Sequence, residues 1–477
     1  MLKYSVPEDI NLNKIFLVNR RDTEGRLDAY FYMNEFQILE SRFDNSVFDV
    51  VPFKEIIISI NNGYDFRDYK NEGIPYIKVA NVKKGEFDFN KIQYIEFSSE
   101  EISKNIQLKK GNILITRKGT YGNALSLDQN YDYVISSEVF YIELNQSKIN
   151  SKYLEIFFNS DVGQKQFNRH SIGAIMGSLS QEAVKNIKIP LPPLNIQKQI
   201  VDAYNKAYQQ KQLKEAQAKL LLDSIDAYLL NELGITLPVK NSSLKSRIFT
   251  TKFSEVSGGR IDGYYYQKDF IEFFDCLKKG NYTVSSLKKI SKKITSGITP
   301  ASGGDAYTNS SEGIPFIRSG NIDIDGDINF EDLLYLKKEV HNVTMKSSKV
   351  ERNDLMIAIV GATIGQVGIY LDDREANINQ AIALVRLHEN NNPHYIKEVI
   401  KSSIGQYNLN RLKRPVARAN INLEEISTMQ IIIPPIEKQN EIADNIFKIR
   451  EQAKKLQIEA IMELNEAKKK VEKMILG

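Results

Sequence analysis

The sequence contains an internal repeat of about half its length, and this repeat limits the possible folds of the chain more than any other feature. The stretch RLDAYFY at 26–32 returns as RIDGYYY at 260–266, and GIPYIKVANV at 73–82 returns as GIPFIRSGNI at 313–322. The matched stretches keep the same order in both copies. The 477 residues therefore predict two similar domains rather than one large core.

Each copy combines a mixed part with a long helical part. In the mixed part, short runs rich in Ile, Val and aromatic residues alternate with Gly, Asn and Asp clusters, and short helical patterns intervene. This alternation predicts an α+β domain with a twisted sheet that is mostly antiparallel or mixed. In the helical part, apolar residues recur at steps of three and four from Ile442 to Ile475, which is typical of a coiled coil.

A double proline separates the two parts in each copy, at Pro192-Pro193 and at Pro434-Pro435. Proline neither donates to a β-ladder nor continues a helix, so each pair is expected to stop the last strand and start the long helix. The two helices, about 60 Å long each, are predicted to pair as an antiparallel coiled coil. The alternative is that each helix packs back on its own domain.

These features predict the domain boundaries. We expect a first α+β domain over 1–193, a first helix over 194–235, a linker over 236–246, a second α+β domain over 247–435 and a second helix over 436–477. Gly234 is expected to end the first helix.

Composition is typical of a protein of the cytosol. The single cysteine, Cys276, excludes a disulfide framework, and the N-terminal residues do not have the pattern of a secretory leader, so we expect an intracellular protein. The most apolar run, Leu355 to Leu371, contains three glycines and predicts strand, turn, strand rather than a membrane helix. The net charge of +4 does not indicate a partner, because what matters is where the basic groups cluster.

The repeated junctions carry a resemblance to a known family. IPLPPLNIQKQI and IIIPPIEKQNEI resemble the junctions of type I restriction-modification specificity subunits, as do GIPYIKVANV, LITRKGTYGN and NINQAIALV. The usual form there is an apolar-P-L-P-P-L stretch followed by E-Q-x-x-I. This chain keeps Gln197 and Gln439 but has Ile196 and Lys438 where the glutamate is usual.

The resemblance implies a non-catalytic subunit of a prokaryotic, cytoplasmic phage-defence system. Two target-recognition domains would each read one half of a split site on double-stranded DNA, and the helices would form a spacer that docks two methyltransferase subunits. Adenine N6 methylation and ATP-dependent cleavage would belong to the methyltransferase and restriction (motor-nuclease) subunits. S-adenosylmethionine, ATP and Mg²⁺ are expected on those partners rather than on this chain.

Two other functions stay open at this point: a stand-alone DNA methyltransferase or nuclease, and a coiled-coil scaffold without DNA binding. NPHY at 392–395 resembles the Asn-Pro-Pro-Tyr stretch of adenine N6 methyltransferases, which act on a flipped base. It also fits a turn with proline at the first helical position, and the first copy has no Asn-Pro pair before Tyr153. The histidines show no metal-ligand spacing with Cys276. We therefore predict no catalytic, cofactor or metal residues.

Candidate DNA contacts fall on basic, glycine-containing loops, where backbone amides also reach phosphate. In the first copy, TRKGTYGN at 116–123 and QKQFNRHSIGAIMGSLS at 164–180 supply Arg117, Lys118, Tyr121, Lys165 and Arg169. In the second copy, NRLKRPVARAN at 410–420 supplies Asn410, Arg411, Lys413, Arg414, Arg418 and Asn420. The two copies differ most near these loops, with Arg117-Lys118 against Val360-Gly361.

A second set of candidates is repeated: Lys78 with Asn81, and Arg318 with Asn321. Arg or Lys reads guanine and Asn reads adenine in the major groove, so these pairs are predicted to contact bases. The aromatic stretches at 26–32 and 260–266 are similar in both copies and are therefore expected to be structural rather than sequence-reading.

Overall fold

The computed structural model of the chain describes residues 11, 17–18, 23, 28–96, 106–172, 177–238, 248–256, 260–301, 304–413 and 420–476. The chain divides into two compact units, one made of 1–215 with 457–477 and the other of 216–456. Each of the two long helices contributes to both units. Across the described ranges, no helix combines the length and apolar character needed to span a bilayer.

The first unit is an α+β domain, as predicted. Its strands are β1 (Val50–Pro52), β2 (Ile57–Asn62), β3 (Ile74–Ile77), β4 (Val82–Lys83), β5 (Glu86–Phe87), β6 (Gln93–Ile95), β7 (Ile113–Thr116), β8 (Ala124–Ser126), β9 (Val134–Ile135), β10 (Val139–Leu144) and β11 (Lys188–Pro190). Its helices are α1 (Asn34–Asp44), α2 (Ser151–Asn159), α3 (Asp161–His170), α4 (Gln181–Lys185) and the first half of the long helix α5 (Leu194–Leu233).

The single sheet expected from the sequence is instead several small sheets. β2, β10, β7 and β8 form an antiparallel sheet in that order, β6, β3 and β9 form a mixed sheet, and β1–β11 and β4–β5 are pairs. Alternate residues of β7 face two cores: Ile113 and Ile115 pack with Phe157 of α2, whereas Leu114 packs with Tyr141. Because both faces are covered, the strand is apolar throughout and its pattern does not show where one sheet ends.

The second unit repeats this topology. Its strands are β12 (Thr283–Ser286), β13 (Ser291–Ser296), β14 (Tyr307–Thr308), β15 (Ile314–Ile317), β16 (Leu334–Leu336), β17 (Lys349–Val350), β18 (Leu355–Ala358), β19 (Val367–Ile369), β20 (Ala376–Ile378), β21 (Ile382–Leu387) and β22 (Gln430–Ile433). Its helices are α6 (Phe253–Val256), α7 (Lys268–Lys278), α8 (Pro393–Lys401), α9 (Ser403–Leu412), α10 (Leu423–Ser427) and the first half of the long helix α11 (Ile436–Leu476). The antiparallel sheet β13–β21–β18–β19 corresponds to β2–β10–β7–β8.

The long helices α5 and α11 pack on each other in both units. In the first unit, Ile200 near the start of α5 shares a core with Val471 and Ile475 near the end of α11. In the second unit, Leu229 near the end of α5 shares a core with Ile442 near the start of α11. These contacts confirm the predicted antiparallel pair. The same residues also contact the α+β core of their unit, so the packing considered as the alternative contributes as well.

Polar contacts accompany the apolar seam of the helix pair. In the first unit, Lys214 of α5 lies between Glu459 and Glu463 of α11, with Nζ–Oε distances of 2.9 and 2.5 Å. In the second unit, Lys438 of α11 pairs with Glu232 of α5 at 2.6 Å. Opposite charges at fixed positions favour one register of the pair over its neighbours.

The long helices α5 and α11 span Leu194–Leu233 and Ile436–Leu476. The last strands β11 and β22 end just before the double prolines, and α5 and α11 begin just after them. Helix α5 ends at Leu233, and Gly234 follows it with φ of 65°, a left-handed conformation that glycine adopts without strain. Most of the linker predicted over 236–246 lies outside the described residues.

The NPHY stretch is a helix start, as its structural alternative predicted. Asn392 caps α8 by accepting hydrogen bonds from the amides of His394 and Tyr395, and the Tyr395 hydroxyl donates to the Ile432 carbonyl at 2.9 Å. Asn150 and Tyr153 make the same contacts in the first unit. The stretch is therefore part of the repeated scaffold rather than a catalytic motif.

Candidate nucleic-acid interface

In the first unit, three strands end at one edge, and the residues that follow them include the predicted DNA contacts. Strands β3 and β9 are parallel, so their carboxyl ends meet, and the Ser136 amide donates to the Ile77 carbonyl at 2.8 Å. The Arg117 amide, just after β7, donates to the Glu138 carbonyl at 2.8 Å. Lys78, Arg117 and Lys118 are thereby placed at a common edge, which we call the loop edge.

The two loops predicted as DNA contacts in the first copy lie against each other at the loop edge. Lys118 forms a β-bridge with Ser178, and the Leu179 amide donates to the Arg117 carbonyl at 2.9 Å. The Tyr121 hydroxyl is within hydrogen-bond distance of Asn168, in the last turn of α3, and of Ser171, just after α3, at 3.1 and 3.2 Å. The structure therefore joins residues that are 47 to 62 positions apart in the sequence.

The second unit has the same edge with different side chains. The Asn379 amide donates to the Ile317 carbonyl, and the Ile421 amide donates to the Ile359 carbonyl, each at 3.0 Å. Val360 bridges Asn420 as Lys118 bridges Ser178. The structural counterparts of Arg117 and Lys118 are thus Ile359 and Val360, not Val360 and Gly361. The difference arises because the loop of the second unit has one extra residue between Gly361 and Gly365.

A glycine at the loop edge is required by close backbone packing in both units. A Cβ at Gly63 would lie 2.0 Å from the Ile135 carbonyl oxygen, and one at Gly297 would lie 1.6 Å from that of Ile378. Both distances are far below any real contact. The chain following β2 and β13 can therefore reach the loop edge only with glycine at these positions.

The predicted base contacts by Asn81 and Asn321 do not agree with the structure. Both side chains are buried and shape their own turns. Asn81 Oδ1 accepts from the Lys78 amide at 3.0 Å, and Nδ2 donates to the Asp88 carbonyl at 2.8 Å. Asn321 does the same with Arg318 and Asp332. With donor and acceptor already used inside the domain, neither amide is available to a base.

Arg169 and Arg411 also serve the interior. Arg169 is buried; its Nε donates to the Phe31 carbonyl at 3.1 Å, its guanidinium lies 4.0 Å from the Phe31 ring centre, and it pairs with Glu40. Arg411 Nε donates to the Tyr265 carbonyl at 3.2 Å, and its guanidinium also lies 4.0 Å from a ring centre, that of Tyr265. Burial lowers the pKa of Arg411. These equivalent arginines hold the repeated aromatic stretch, so we remove both from the interface.

Arg117 is anchored, whereas its neighbour Lys118 is exposed. Arg117 Nε and Nη1 donate to the carbonyls of Leu179 and Ser137, each at 3.3 Å, and its guanidinium stacks over Phe140. Lys118 projects from the same turn into solvent. Arg117 thus fixes the loop edge, and Lys118 is an exposed cation there that DNA could reach.

Lys78 and Arg318 are partly exposed but already have intramolecular partners. Lys78 Nζ donates to Gln93 Oε1 at 3.1 Å and lies over the Tyr69 ring. Arg318 Nη2 donates to the Asp332 carbonyl at 3.1 Å. Both remain at the loop edge, and their contacts are weak enough at the surface to be exchanged for phosphate.

The remaining predicted contacts occupy exposed or half-buried positions. Lys165 pairs with Asp161 at 2.8 Å within α3, and Lys413 Nζ donates to Asn410 Oδ1 at 2.9 Å. Asn410 and Asn420, at the two ends of the predicted contact loop of the second unit (410–420), are both exposed. Arg414 and Arg418, the centre of that loop in the sequence, lie outside the described residues.

One candidate contact at the loop edge was missed from the sequence. Arg67, on the segment between β2 and β3, is exposed, and Asp65 on the same segment accepts a hydrogen bond from Ser137 Oγ at 2.7 Å. This bond brings the segment to the loop edge. The basic residues Arg67 and Lys70 after Gly63 were visible in the sequence, but only the fold shows where they lie. In the described part of the chain, no cluster of three or more His, Cys, Asp or Glu is arranged to hold a metal.

Fold and loop edge together define a class of protein: two tandem copies of one α+β domain with a pair of long antiparallel helices. A family model for the type I restriction modification DNA specificity domain matches residues 45–222 and 279–464. The chain therefore belongs to this family, the specificity subunits of type I restriction-modification systems, whose members are non-catalytic.

Individual relatives agree with this assignment. The chain is 25% identical over 396 residues to the type I restriction enzyme EcoBI specificity subunit of Escherichia coli, covering 82% of this chain and 77% of that protein. It is 22% identical over 453 residues to the putative type I restriction enzyme MjaX specificity subunit of Methanocaldococcus jannaschii, covering 90% and 92%. A solved chain reported under complex assembly and conformational transition of the type I R-M system matches with a TM-score of 0.56, at 14% identity over 90% of this chain and 96% of that one, which supports the fold alone.

Proposed function

We propose that this chain reads a two-part DNA target, one half with each unit, and presents that DNA to methyltransferase and restriction subunits. The observation that carries the proposal is the loop edge: the same backbone in both units bears different side chains, Lys118 in one and Val360 in the other. A repeated scaffold with divergent loops suits two unlike half-sites. Adenine N6 methylation, ATP-dependent cleavage and their cofactors would reside on the partner subunits, in a prokaryotic cytoplasm.

The proposed DNA contacts are a reduced version of the set predicted from sequence. We retain Lys78, Arg318, Lys118, Tyr121, Lys165, Asn410, Lys413, Asn420, Arg414 and Arg418, and we add Arg67. Phosphate contacts need exposed cations, whereas base contacts need donors and acceptors that the fold has not already used. Two units reading the same face of a duplex would place half-site centres about one helical turn apart, roughly 34–36 Å.

The helix pair offers a surface for the methyltransferase subunits. Ile461 and Met462 of α11 are 54% and 56% exposed, and Leu213 of α5 is 55% exposed. All three belong to the first unit, in which these helix segments pack together. Exposed apolar side chains on a paired helix favour a protein partner, and the resemblance implies that this partner is a methyltransferase subunit.

Reconstitution tests the proposal. The purified chain, the methyltransferase subunits and the combination would each be incubated with DNA and S-adenosylmethionine, and methylated sites would be sequenced. The proposal predicts methylation only by the combination, at a target with two short halves and a fixed gap. Methyl transfer by this chain alone, or methylation by the combination without sequence preference, would contradict it.

A further inference from the structure

The segment between β2 and β3 is attached to the loop edge of the first unit at its start. The Tyr64 amide donates to the Ile135 carbonyl at 2.9 Å, and the Ser137 amide donates to the Tyr64 carbonyl at 3.0 Å. Asp65 adds a third bond by accepting from Ser137 Oγ at 2.7 Å. The segment therefore begins beside the end of β9, where Tyr64 forms a parallel β-bridge with Ser136.

The buried ring of Tyr76, on β3, holds the middle of the same segment. The Tyr76 hydroxyl donates to the Tyr64 carbonyl at 2.6 Å and accepts from the Phe66 amide at 3.3 Å. The Phe66 and Tyr69 rings lie 5.6 and 6.0 Å from the Tyr76 ring, and the Tyr69 hydroxyl donates to the Phe66 carbonyl at 2.9 Å. Arg67 follows one of these anchored residues and closely precedes the other, so its backbone is fixed before DNA binds.

The side chain of Arg67 is exposed, and among the residues that the structure describes none forms a hydrogen bond or an ion pair with its guanidinium. Neighbouring cations are already engaged. Lys70 Nζ pairs with Asp68 at 2.9 Å, and Lys78 Nζ donates to Gln93 Oε1 at 3.1 Å. The rigid fork of N–H donors on Arg67 is thus available to a ligand at the loop edge.

The charge around Arg67 favours a base over a phosphate as that ligand. Residues 64–72 carry three acidic and two basic side chains, and Asp65 and Asp68 stand on either side of Arg67 in the chain. A phosphate that bound Arg67 would also approach these exposed carboxylates, and like charges oppose that arrangement. Base edges are uncharged, and guanine presents O6 and N7 as a pair of acceptors that matches the arginine fork.

The second unit has the same entry to this segment but a different sequence in it. Gly297 approaches the backbone as closely as Gly63 does, so both segments leave the sheet at the same point. Between Gly297 and Gly313 the sequence contains no Lys or Arg, whereas Arg67 lies between Gly63 and Gly73. A common entry with unlike side chains suits the reading of two unlike half-sites.

We propose that Arg67 reads a guanine in the half-site of the first unit, through its base edge in the major groove. This inference rests on the proposed function, in which Arg67 is only one of several DNA contacts. It assigns Arg67 a role in selectivity, and it requires a G·C pair in that half-site. Lys118, which has no acidic neighbour in the chain, keeps the role of a phosphate contact.

The test compares Arg67→Ala and Arg67→Gln with Lys54→Ala, which removes a positive charge from another exposed position of the first unit. Each variant would be assembled with the methyltransferase subunits, and its methylated sites would be sequenced. Affinity would be measured at several salt concentrations, for DNA with the wild-type target and for DNA in which each G·C pair of the target is replaced in turn.

Arg67→Ala is expected to accept any base pair at one G·C position of one half-site, and to bind the wild-type target about tenfold more weakly. Its slope of log affinity against log salt should equal that of wild type, because no phosphate contact is lost. Arg67→Gln should prefer adenine at the same position, since glutamine pairs with adenine N6 and N7. Lys54→Ala should leave the methylated sequence and the affinities unchanged.

A uniform loss of affinity for all sequences in Arg67→Ala, with a slope lower by about 0.9, would overturn the inference, because Arg67 would then contact phosphate. An unchanged methylated sequence in both Arg67 variants would overturn it as well. If Arg67→Ala fails to fold, the preference of Arg67→Gln for adenine provides the test. The absence of a two-part target in the wild-type complex would instead overturn the proposed function, so the two failures are distinguishable.

Discussion

The side chain of Gln197 accepts a hydrogen bond from the backbone amide of Asn150 at 2.7 Å, and so ties the start of α5 to the N-cap of α2. Its Nε2 donates to the Pro192 carbonyl at 2.8 Å. Gln439 repeats both bonds with Asn392 and Pro434, each at 2.9 Å. The repeated double proline and glutamine thus form one joint, which fixes the direction in which each long helix leaves its domain.

Replacing Gln439 by Ala should destabilise the second unit by about 1–3 kcal/mol, because two buried backbone groups would lose their partner. Gln439 is 1% exposed, so water cannot replace it without rearrangement. Urea unfolding followed by circular dichroism measures the effect as a lower midpoint. Gln210→Ala, at an exposed position of α5, is the matched control. Equal midpoints for the two variants would show that the joint does not contribute to stability.

Replacing Lys118 by Glu should weaken DNA binding by the complex with methyltransferase subunits and flatten its salt dependence. Each phosphate contact contributes about 0.9 to the slope of log affinity against log salt, so the slope should fall by about 1. Lys54→Glu, exposed after β1, changes charge equally and is the control. Fluorescence anisotropy at several salt concentrations provides both slopes. Identical slopes for the two variants would remove Lys118 from the interface.

Titration of Lys401 should make the second unit more stable as the pH rises. Burial, reinforced by the charge of Arg450, lowers the pKa of Lys401 to about 8 from an ordinary value of 10.5. The unfolded chain therefore binds more protons than the folded chain between these two values, and stability rises with pH through that window. Below pH 8 Lys401 is protonated in both states, so its unfavourable burial as a cation is fully present.

Thermal unfolding of wild type and Lys401→Met between pH 7.5 and 10 tests this expectation. The wild-type midpoint should rise relative to that of the variant as the pH increases. Burial opposes ionisation of the neighbouring Glu398, but the charges of Arg450 and Lys397 outweigh it and hold the pKa of this carboxyl low, so Glu398 does not titrate in the same range. Parallel pH profiles for the two proteins would contradict the assignment to Lys401.

The scaffold was largely predictable from the sequence, because a pattern that occurs in both copies of the repeat is stronger evidence for a structural element than a pattern that occurs once. Pro192-Pro193, Gly234 and the apolar steps of α11 depend on local backbone rules, and the structure agrees with each of them. The division into small sheets was not predictable. Fully buried strands such as β7 are apolar on both faces and have no pattern that marks a sheet boundary.

The site was less predictable, because residue type does not show whether a polar group is already satisfied. Arg169 and Lys118 look alike in the sequence, but one is buried against Phe31 and the other is exposed. Asn81 and Asn321 occupy the right kind of turn for base contact, yet they cap that turn. Such distinctions depend on contacts between residues far apart in the chain.

The central claim is that two units read two half-sites while the paired helices fix the gap between them. Inserting four residues into α5 before Leu220 tests it most directly, because a coiled coil tolerates one added helical turn better than two added residues. The same four residues inserted after Pro238, in the predicted linker, are the control.

Methylated sites would be sequenced for wild type and both insertions, each with methyltransferase subunits. The account predicts that the α5 insertion changes the length of the gap and leaves both half-sites intact, whereas the linker insertion changes neither. An unchanged gap in the α5 variant, or an altered half-site, would contradict it.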